Sequence, residues 1–414
     1  HGSNLILSPS TADLPSNVSH ALILHDGETL YDGDPATVFP IYDHFAYRLR
    51  RLERVAQQRR ESDEAGGAAV PVKLPPAADL IERAARSLSR SQVVSRLDDD
   101  LPRIWSGDQP IILGPYMSGV GFELLYWRPF VTWMRERFGP CDQPVVLVSH
   151  GRVGDWYTDL ASEYVDMCDL MPLATYEERN RARVRDGGSV KQKIVADFDQ
   201  EVLTTLAGRL GAPDAAVIHP SVLFNACSRV WNRHLPSTWL DEHTRFRRFP
   251  TGQRPTDDGF SEPYAVASFW FTGSFQDSRR HRHLIHDVVR ELSVRLPVVV
   301  LEDPSFSEVA SVDAGERIRV ITPQADRDDQ VRSQAAIIAG AKAFIGTFGG
   351  ISLMAPFYGV PALMLFEQDV GLFGHHVTAA KRLAETWPEV PLDTMQSTKL
   401  DASRLGDWID RALR

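Results

Sequence analysis

With 414 residues the chain is too long for one ordinary core, so two domains are the natural expectation. Its 43% hydrophobic and 24% charged residues are the balance of a globular protein in water, and a formal net charge of −10 argues against general nucleic-acid binding. No apolar run reaches the roughly 18 residues of a membrane helix, and Cys141, Cys168 and Cys227 show no CxxC or Cys/His spacing, so a reduced, cytoplasmic protein without structural zinc is expected.

No signal peptide is visible, and His1-Gly2-Ser3 reads as the remnant of a tag. Residues 4–60 hold short apolar runs (4–8 and 21–25) and a basic, helical stretch from Tyr42 to about Arg60. Residues 61–78 carry Gly, Ala and Pro without periodicity and read as a linker, with a helix expected over 79–97. Residues 1–100 match no familiar unit. From residue 110 strands and helices alternate: a strand at 110–113, a glycine-containing loop at 114–121, a helix at 122–138 and a strand at 144–149. A short helix is expected over 155–164, a polar helical region over 176–211, and a strand at 215–219 stopped by Pro220. Residues 236–262 are rich in Pro, Arg and Asp and mark a linker. A second series follows, with strands at 264–271, 298–302, 317–321, 343–346 and 362–366. Its helices are expected at 278–295, 328–341, 351–358, 373–386 and 402–413. Such alternation predicts parallel sheets.

Three turns carry candidate chemistry. In the run 343–366 a strand ends in Gly346-Thr347-Phe348-Gly349-Gly350, followed by a helix and then Gly359-Val360-Pro361. The glycine pair admits a ligand close to the backbone, and the helix from Ile351 offers N–H groups to an anion such as a phosphate or pyrophosphate. In the loop 114–123, Ser118, Gly119 and Gly121 lead into a helix whose first turn holds Glu123. The spacing is not G-x-G-x-x-G and no acid closes the next strand, which disfavours NAD. Glu123 is either a general base or a favourable charge at a helix start. After the strand 144–149 comes His150-Gly151-Arg152-Val153-Gly154-Asp155. His150 can exchange a proton near neutral pH, with Asp155 as its partner or as a cap, and Arg152 suits an anion.

The run 346–366, with its Thr/Ser-x-Gly-Gly turn, helix and G-x-P, resembles the donor-site segment of GT-B glycosyltransferases, and residues 110–370 are similar to the bacterial heptosyltransferase-like and fucosyltransferase-like branch. The resemblance implies an α/β fold of two Rossmann-like domains facing a central cleft, behind an N-terminal appendage. The implied segments are 1–100 (appendage), 101–235 (acceptor domain), 236–262 (linker), 263–400 (nucleotide-sugar domain) and 401–414, a last helix able to cross back to the first domain. It further implies that Thr347, Phe348, Gly349, Gly350 and Ser352 face the donor diphosphate. Ser274, Gln276, Arg279 and Arg280, in the loop after the first strand of the second series, are matched phosphate donors there, unless they form a solvated basic face. Glu302 faces the ribose or base, or is an ordinary loop acid, the loop with Ser118, Gly119 and Gly121 approaches donor or acceptor, and Arg152, after the next strand, holds an anionic acceptor or phosphate. The segment 319–326, followed by Gln334, is similar to the part that precedes the donor helix in that branch.

The acidic residue that retaining relatives carry one turn into the donor helix is absent from Ser352-Leu353-Met354-Ala355-Pro356, which points to an inverting branch. Asp98-Asp99-Asp100 reads as a solvated run rather than an Asp-x-Asp metal motif, so no cofactor or metal is expected. The function implied is metal-independent sugar transfer, in polysaccharide biosynthesis, from a nucleotide sugar to a glycan, lipid-linked or small-molecule hydroxyl. Peripheral membrane contact stays compatible with this. The alternatives are a sugar-nucleotide epimerase of the same fold, using Glu123, His150, Asp155 and His219, or a nucleotide-binding protein without turnover.

Overall fold

Short apolar runs punctuated by glycine become buried strands, and the segments between them become helices. The computed structural model describes residues 21–25, 28–33, 38, 42, 97–187, 189–231, 238–250, 262–272, 274–301, 317–322, 327–367 and 372–414. By their contacts these fall into two compact units. The first holds the described parts of His1–Ser118 with Phe138–Val146 and Ala174–His243. The second holds Gly119–Arg137, Leu147–Leu173 and the described parts of Thr244–Arg414.

Strands β1 (Ala21–His25) and β2 (Glu28–Gly33) form an antiparallel pair. Helix α1 (Leu97–Trp105) follows, then β3 (Ile111–Leu113). Next come a single helical turn α2 (Val120–Phe122), a π-helical turn at Glu123–Trp127 and α3 (Arg128–Phe138). The chain continues through β4 (Val145–Ser149), a 3₁₀ turn at Gly154–Trp156, β5 (Glu163–Asp166), α4 (Met167–Leu170) and α5 (Leu173–Gly187). Helix α6 (Asp197–Arg209), β6 (Ala216–Ile218), α7 (Pro220–Trp231) and α8 (Thr238–His243) complete this half. Its four-stranded sheet has the order β5-β4-β3-β6. β3 and β4 are buried at every residue, as the unbroken runs IIL and VVLVS require of strands covered on both faces.

The second series is β7 (Ala265–Ser268), α9 (Arg279–Arg295), β8 (Val298–Leu301), β9 (Ile318–Ile321), α10 (Gln330–Gly340), β10 (Ala343–Thr347) and α11 (Gly350–Phe357). It ends with β11 (Ala362–Phe366), α12 (Leu372–Thr386), β12 (Leu392–Gln396) and α13 (Ala402–Ala412). The six-stranded parallel sheet runs β12-β11-β10-β7-β8-β9. The chain steps outward from β7 to β9, then returns to the other side of β7 and steps outward again. The order therefore reverses between β7 and β10, and the carboxyl ends of these two strands flank the crevice in which open α/β sheets take ligands. The protein is thus an α/β fold of two parallel sheets.

Several expectations need correction. The helix over 155–164 is absent: its place is taken by the 3₁₀ turn and by β5, the edge of the first sheet. The polar region 176–211 divides into α5 and α6. Pro220 does more than stop a strand: it opens α7, as its fixed φ and missing N–H suit the first helical position. β12, short and carrying Asp393 and Gln396, has too little apolar pattern to be seen in advance. The last helix stays with the second sheet, where Leu405, Trp408, Ile409 and Ala412 share a core with Ala265, Ile285, Val298 and Leu363. Burying a side chain such as Leu405 contributes about 1.5–3 kcal/mol, which holds α13 there. The predicted linker 61–78, the run 4–8 and most of the helices over 42–60 and 79–97 lie outside the described residues.

Candidate functional site

At the crevice of the second sheet, β10 delivers Thr347, Phe348, Gly349 and Gly350 into the start of α11. Thr347 is buried, and its Oγ1 accepts from the Trp270 backbone N–H (3.2 Å) and donates to the Trp270 carbonyl (3.2 Å), joining the ends of β7 and β10. Phe348 packs edge-on against Phe373, centroids 5.2 Å apart. Ser352 closes the helix start: its Oγ accepts from the Gly349 N–H at 2.9 Å. The N–H groups of Gly350, Ile351 and Ser352 precede the first intrahelical donor, the Leu353 N–H that bonds the Gly349 carbonyl (3.0 Å), and so lie at the open helix end. Glycine is required here by close approach. A β-carbon on Gly349 would run into the Trp270 ring, and one on Gly350 would lie 2.9 Å from the Gly121 backbone nitrogen.

That second contact brings the turn at Gly121 onto α11, two residues before Glu123. Glu123 has no exposed surface. Ser149 Oγ (2.6 Å) and the Tyr157 hydroxyl (2.7 Å) both donate to its Oε1, while Oε2 is buried without a hydrogen-bond partner among the described residues. Burial pushes this carboxyl above its ordinary value of 4.5, opposed by the nearby His150 and the two hydroxyls. Burial likewise holds the Tyr157 hydroxyl well above its usual range, with the Glu123 charge acting the same way.

His150 and Asp155 stand half-buried at the carboxyl end of β4, the edge predicted for them. Asp155 lies 3.9 Å from Arg332. The Arg152 guanidinium is engaged by Asp169 and, through Nε (3.0 Å) and Nη2 (2.6 Å), by Asp328. Gly119, exposed, accepts through its carbonyl from the Phe122 and Glu123 N–H groups (3.0 and 3.2 Å). Ser118 is buried in the first unit, where its Oγ donates to the Val190 carbonyl at 2.6 Å. His219 is also in the first unit. Its Nδ1 accepts from the Ser221 N–H (3.1 Å), and its Nε2 lies 3.5 Å from Asp199.

In the loop after β7, Ser274 donates its N–H to Thr272 Oγ1 (3.2 Å), and its carbonyl accepts from the Glu367 N–H (2.7 Å). Gln276, Arg279 and Arg280 are exposed there, and Ser278 caps α9 by accepting from the His281 N–H at 3.2 Å. The start of α9 has basic side chains and no acid in its first turn, which opposes the helix dipole in the absence of an anion. Glu302 and residues 323–326 lie outside the described residues.

Five participants, Ser149, Tyr157, Trp270, His376 and Arg128, have roles here that the sequence does not show. Ser149 and Tyr157 reach Glu123 only through tertiary packing. Trp270 shapes the glycine turn. His376 on α12 shares a 2.7 Å hydrogen bond with the Tyr126 hydroxyl in the π turn and meets the Phe122 ring edge-on at 5.1 Å. Arg128, just after that turn, is completely buried. Its Nε donates to the Trp156 carbonyl (2.9 Å), its other nitrogens reach the Arg247 and Arg248 carbonyls, and it lies 4.9 Å over the Phe249 ring. Burial brings its guanidinium down to about 10. Among the described residues no cluster of three or more His, Cys, Asp or Glu side chains is arranged to hold a metal, and no helix is long and apolar enough to cross a membrane.

No known family profile matches the chain, and no curated protein matches it. Among solved structures, it is similar to ADP-heptose lipopolysaccharide heptosyltransferase II of E. coli (12% identity, 74% of this chain and 98% of that one, TM-score 0.43). It is also similar to the E. coli heptosyltransferase WaaC with ADP (14%, 73% and 99%, TM-score 0.42). A third similar structure is the UDP-GlcNAc 2-epimerase of Methanocaldococcus jannaschii (10%, 74% and 92%, TM-score 0.38).

Proposed function

We propose that the protein is a GT-B-type glycosyltransferase that moves a sugar from a nucleoside-diphosphate donor to a hydroxyl acceptor, without a metal and with inversion. The observation that carries this reading is the apposition of Gly121 and Gly350. It sets the start of α11, suited to an anion, beside the turn that holds Glu123. Anion stabilisation and proton transfer are the two demands of a single displacement at a sugar carbon.

In this reading His150 takes the acceptor's hydroxyl proton as the oxygen attacks the anomeric carbon, and the bond from that carbon to the diphosphate oxygen breaks. Glu123, buried and accepting from Ser149 and Tyr157, adds an acidic group whose proton its burial holds. The departing diphosphate gains charge where the Gly350, Ile351 and Ser352 N–H groups lie, with Arg279, Arg280, Ser274 and Gln276 as further donors from the loop after β7. Asp155, five residues on in the same loop and 3.9 Å from Arg332, is assigned the role of orienting His150. The nucleotide-sugar domain is then 263–400 and the acceptor domain 101–235. The acceptor is a glycan, a lipid-linked glycan or a small molecule, and the place of action is the cytoplasm.

The test is turnover of a panel of nucleotide sugars with hydroxyl acceptors, following nucleoside diphosphate release and the anomeric configuration of the product by NMR. His150→Ala should lower kcat by about 10²–10⁴-fold at unchanged fold stability, and a chelator should have no effect. Full activity of that variant sinks the assignment of the base. A product with the donor's configuration sinks the single displacement. Conversion of one nucleotide sugar into another without acceptor identifies the epimerase instead.

A further inference from the structure

The turn that follows β4 holds Arg152 in a conformation that a residue with a side chain does not favour. Gly151 has φ +86° and Arg152, a residue with a side chain to accommodate, has φ +60°. Two successive residues of positive φ follow His150 directly, so the turn they make sets the backbone from which the imidazole projects. A non-glycine residue persists there only when its surroundings determine it.

Those surroundings grip Arg152 from two sides. On one side is the start of α4. Asp166, buried, accepts the Arg152 backbone N–H (2.6 Å) as well as the Tyr164 hydroxyl (2.9 Å) and the Cys168 N–H (2.9 Å). Asp169, whose Oδ2 accepts from the Asp166 N–H (3.1 Å), takes the guanidinium on its other oxygen. Backbone and side chain of Arg152 are thus both seated on one capping motif. On the other side, Asp328 lies just before α10 and accepts from two guanidinium nitrogens. The turn rests flush on that helix: a β-carbon on Gly151 would lie 2.9 Å from Val331, and the Arg332 N–H donates to the Gly151 carbonyl at 3.2 Å.

The two sides differ in strength. On the α4 side the buried Asp166 holds the Arg152 backbone N–H, so that this side does not depend on the guanidinium alone. Asp328, 39% exposed like Asp169 at 42%, is the one side-chain partner of Arg152 on the α10 side among the described residues, and its pair is open to salt. We infer that Arg152 is a positioning residue that fixes the His150 turn against α10, with Asp328 as the releasable half of the lock. The inference rests on His150 as the acceptor's base for its catalytic consequence, and on geometry alone for the lock. Neither Arg152 nor Asp328 then needs to touch substrate. Loss of Asp328 loosens the turn at its α10 side while Asp166 and Asp169 keep the arginine docked.

The experiment compares the full chain with its Asp328→Asn and Asp328→Glu variants by hydrogen exchange of the amides in 150–155 and by kcat and KM. Asp328→Asn should speed exchange in this segment by about tenfold through easier local opening. It should lower kcat by a similar factor, with the donor KM within about twofold. Asp328→Glu should restore both, and raising salt from about 0.05 to about 0.5 M should loosen the wild type more than the Asn variant. Unchanged exchange in Asp328→Asn overturns the lock. Faster exchange with unchanged kcat overturns the positioning role. If the wild type transfers no sugar, the glycosyltransferase reading fails by itself and exchange alone decides the lock.

Discussion

Glu123 shows what enclosure does to a carboxyl. Water is gone, Oε1 is held by two hydroxyls and Oε2 has no hydrogen-bond partner among the described residues, so the neutral form is favoured. Its folded value is raised above 4.5, which means that the native state keeps a proton the unfolded chain has released. The stability this contributes is fully present below about 4.5 and is lost as pH rises through the raised value. Glu123→Gln is neutral throughout and lacks that loss. Its melting temperature relative to the wild type should therefore climb as pH goes from about 4.5 to about 8. A difference that stays flat over this range would mean that the carboxyl ionises in the folded protein as it does in water.

Among elements, α11 is tightly constrained at its start. Its start is pressed against two other segments, by Gly349 on the Trp270 ring and Gly350 on the Gly121 backbone, and backbone atoms cannot rotate away as a flexible side chain can. Gly350→Ala should cost about 1–3 kcal/mol in unfolding free energy by overpacking, and should weaken donor binding as well. Gly406→Ala in α13 is the matched control, since nothing lies within 4 Å of its β-carbon position, and it should stabilise by about 0.4–1 kcal/mol. Equal effects from the two substitutions, measured by denaturant unfolding, would remove close approach as the reason for glycine at 350. The preceding half shows how far local pattern reaches. A helix over 122–138 is legible from its apolar spacing, but the π turn within it is not. Glu-Leu-Leu-Tyr-Trp has no composition that widens a helix; the one-residue expansion accompanies Glu123 meeting Ser149 and Tyr126 meeting His376.

For the whole molecule the expectation concerns ligand linkage. A nucleotide that binds the native state alone stabilises it by roughly 2.7 kcal/mol at 100 times its dissociation constant. Thermal unfolding against UDP, GDP, ADP, CMP and dTDP, with NAD as control, should raise the midpoint selectively for one nucleoside diphosphate and so name the donor base. No shift with any of them, or a shift with NAD alone, would remove the donor site from the proposal.

The sequence by itself determined the alternation of strands and helices, the two parallel sheets and the glycine turn before α11. Each depends on apolar period and backbone freedom over a few neighbouring residues, and such preferences are written locally. Only the tertiary structure decided which polar groups face one another. Ser149 and Glu123 are 26 residues apart, Arg152 and Asp328 176, and Tyr126 and His376 250. Arg152 illustrates the difference. As a sequence element it is a cation beside a candidate base and suits an anion, yet the folded chain surrounds it with Asp166, Asp169 and Asp328. A buried or half-buried polar group takes whichever partner the packing brings within about 3 Å, and no local pattern encodes that choice.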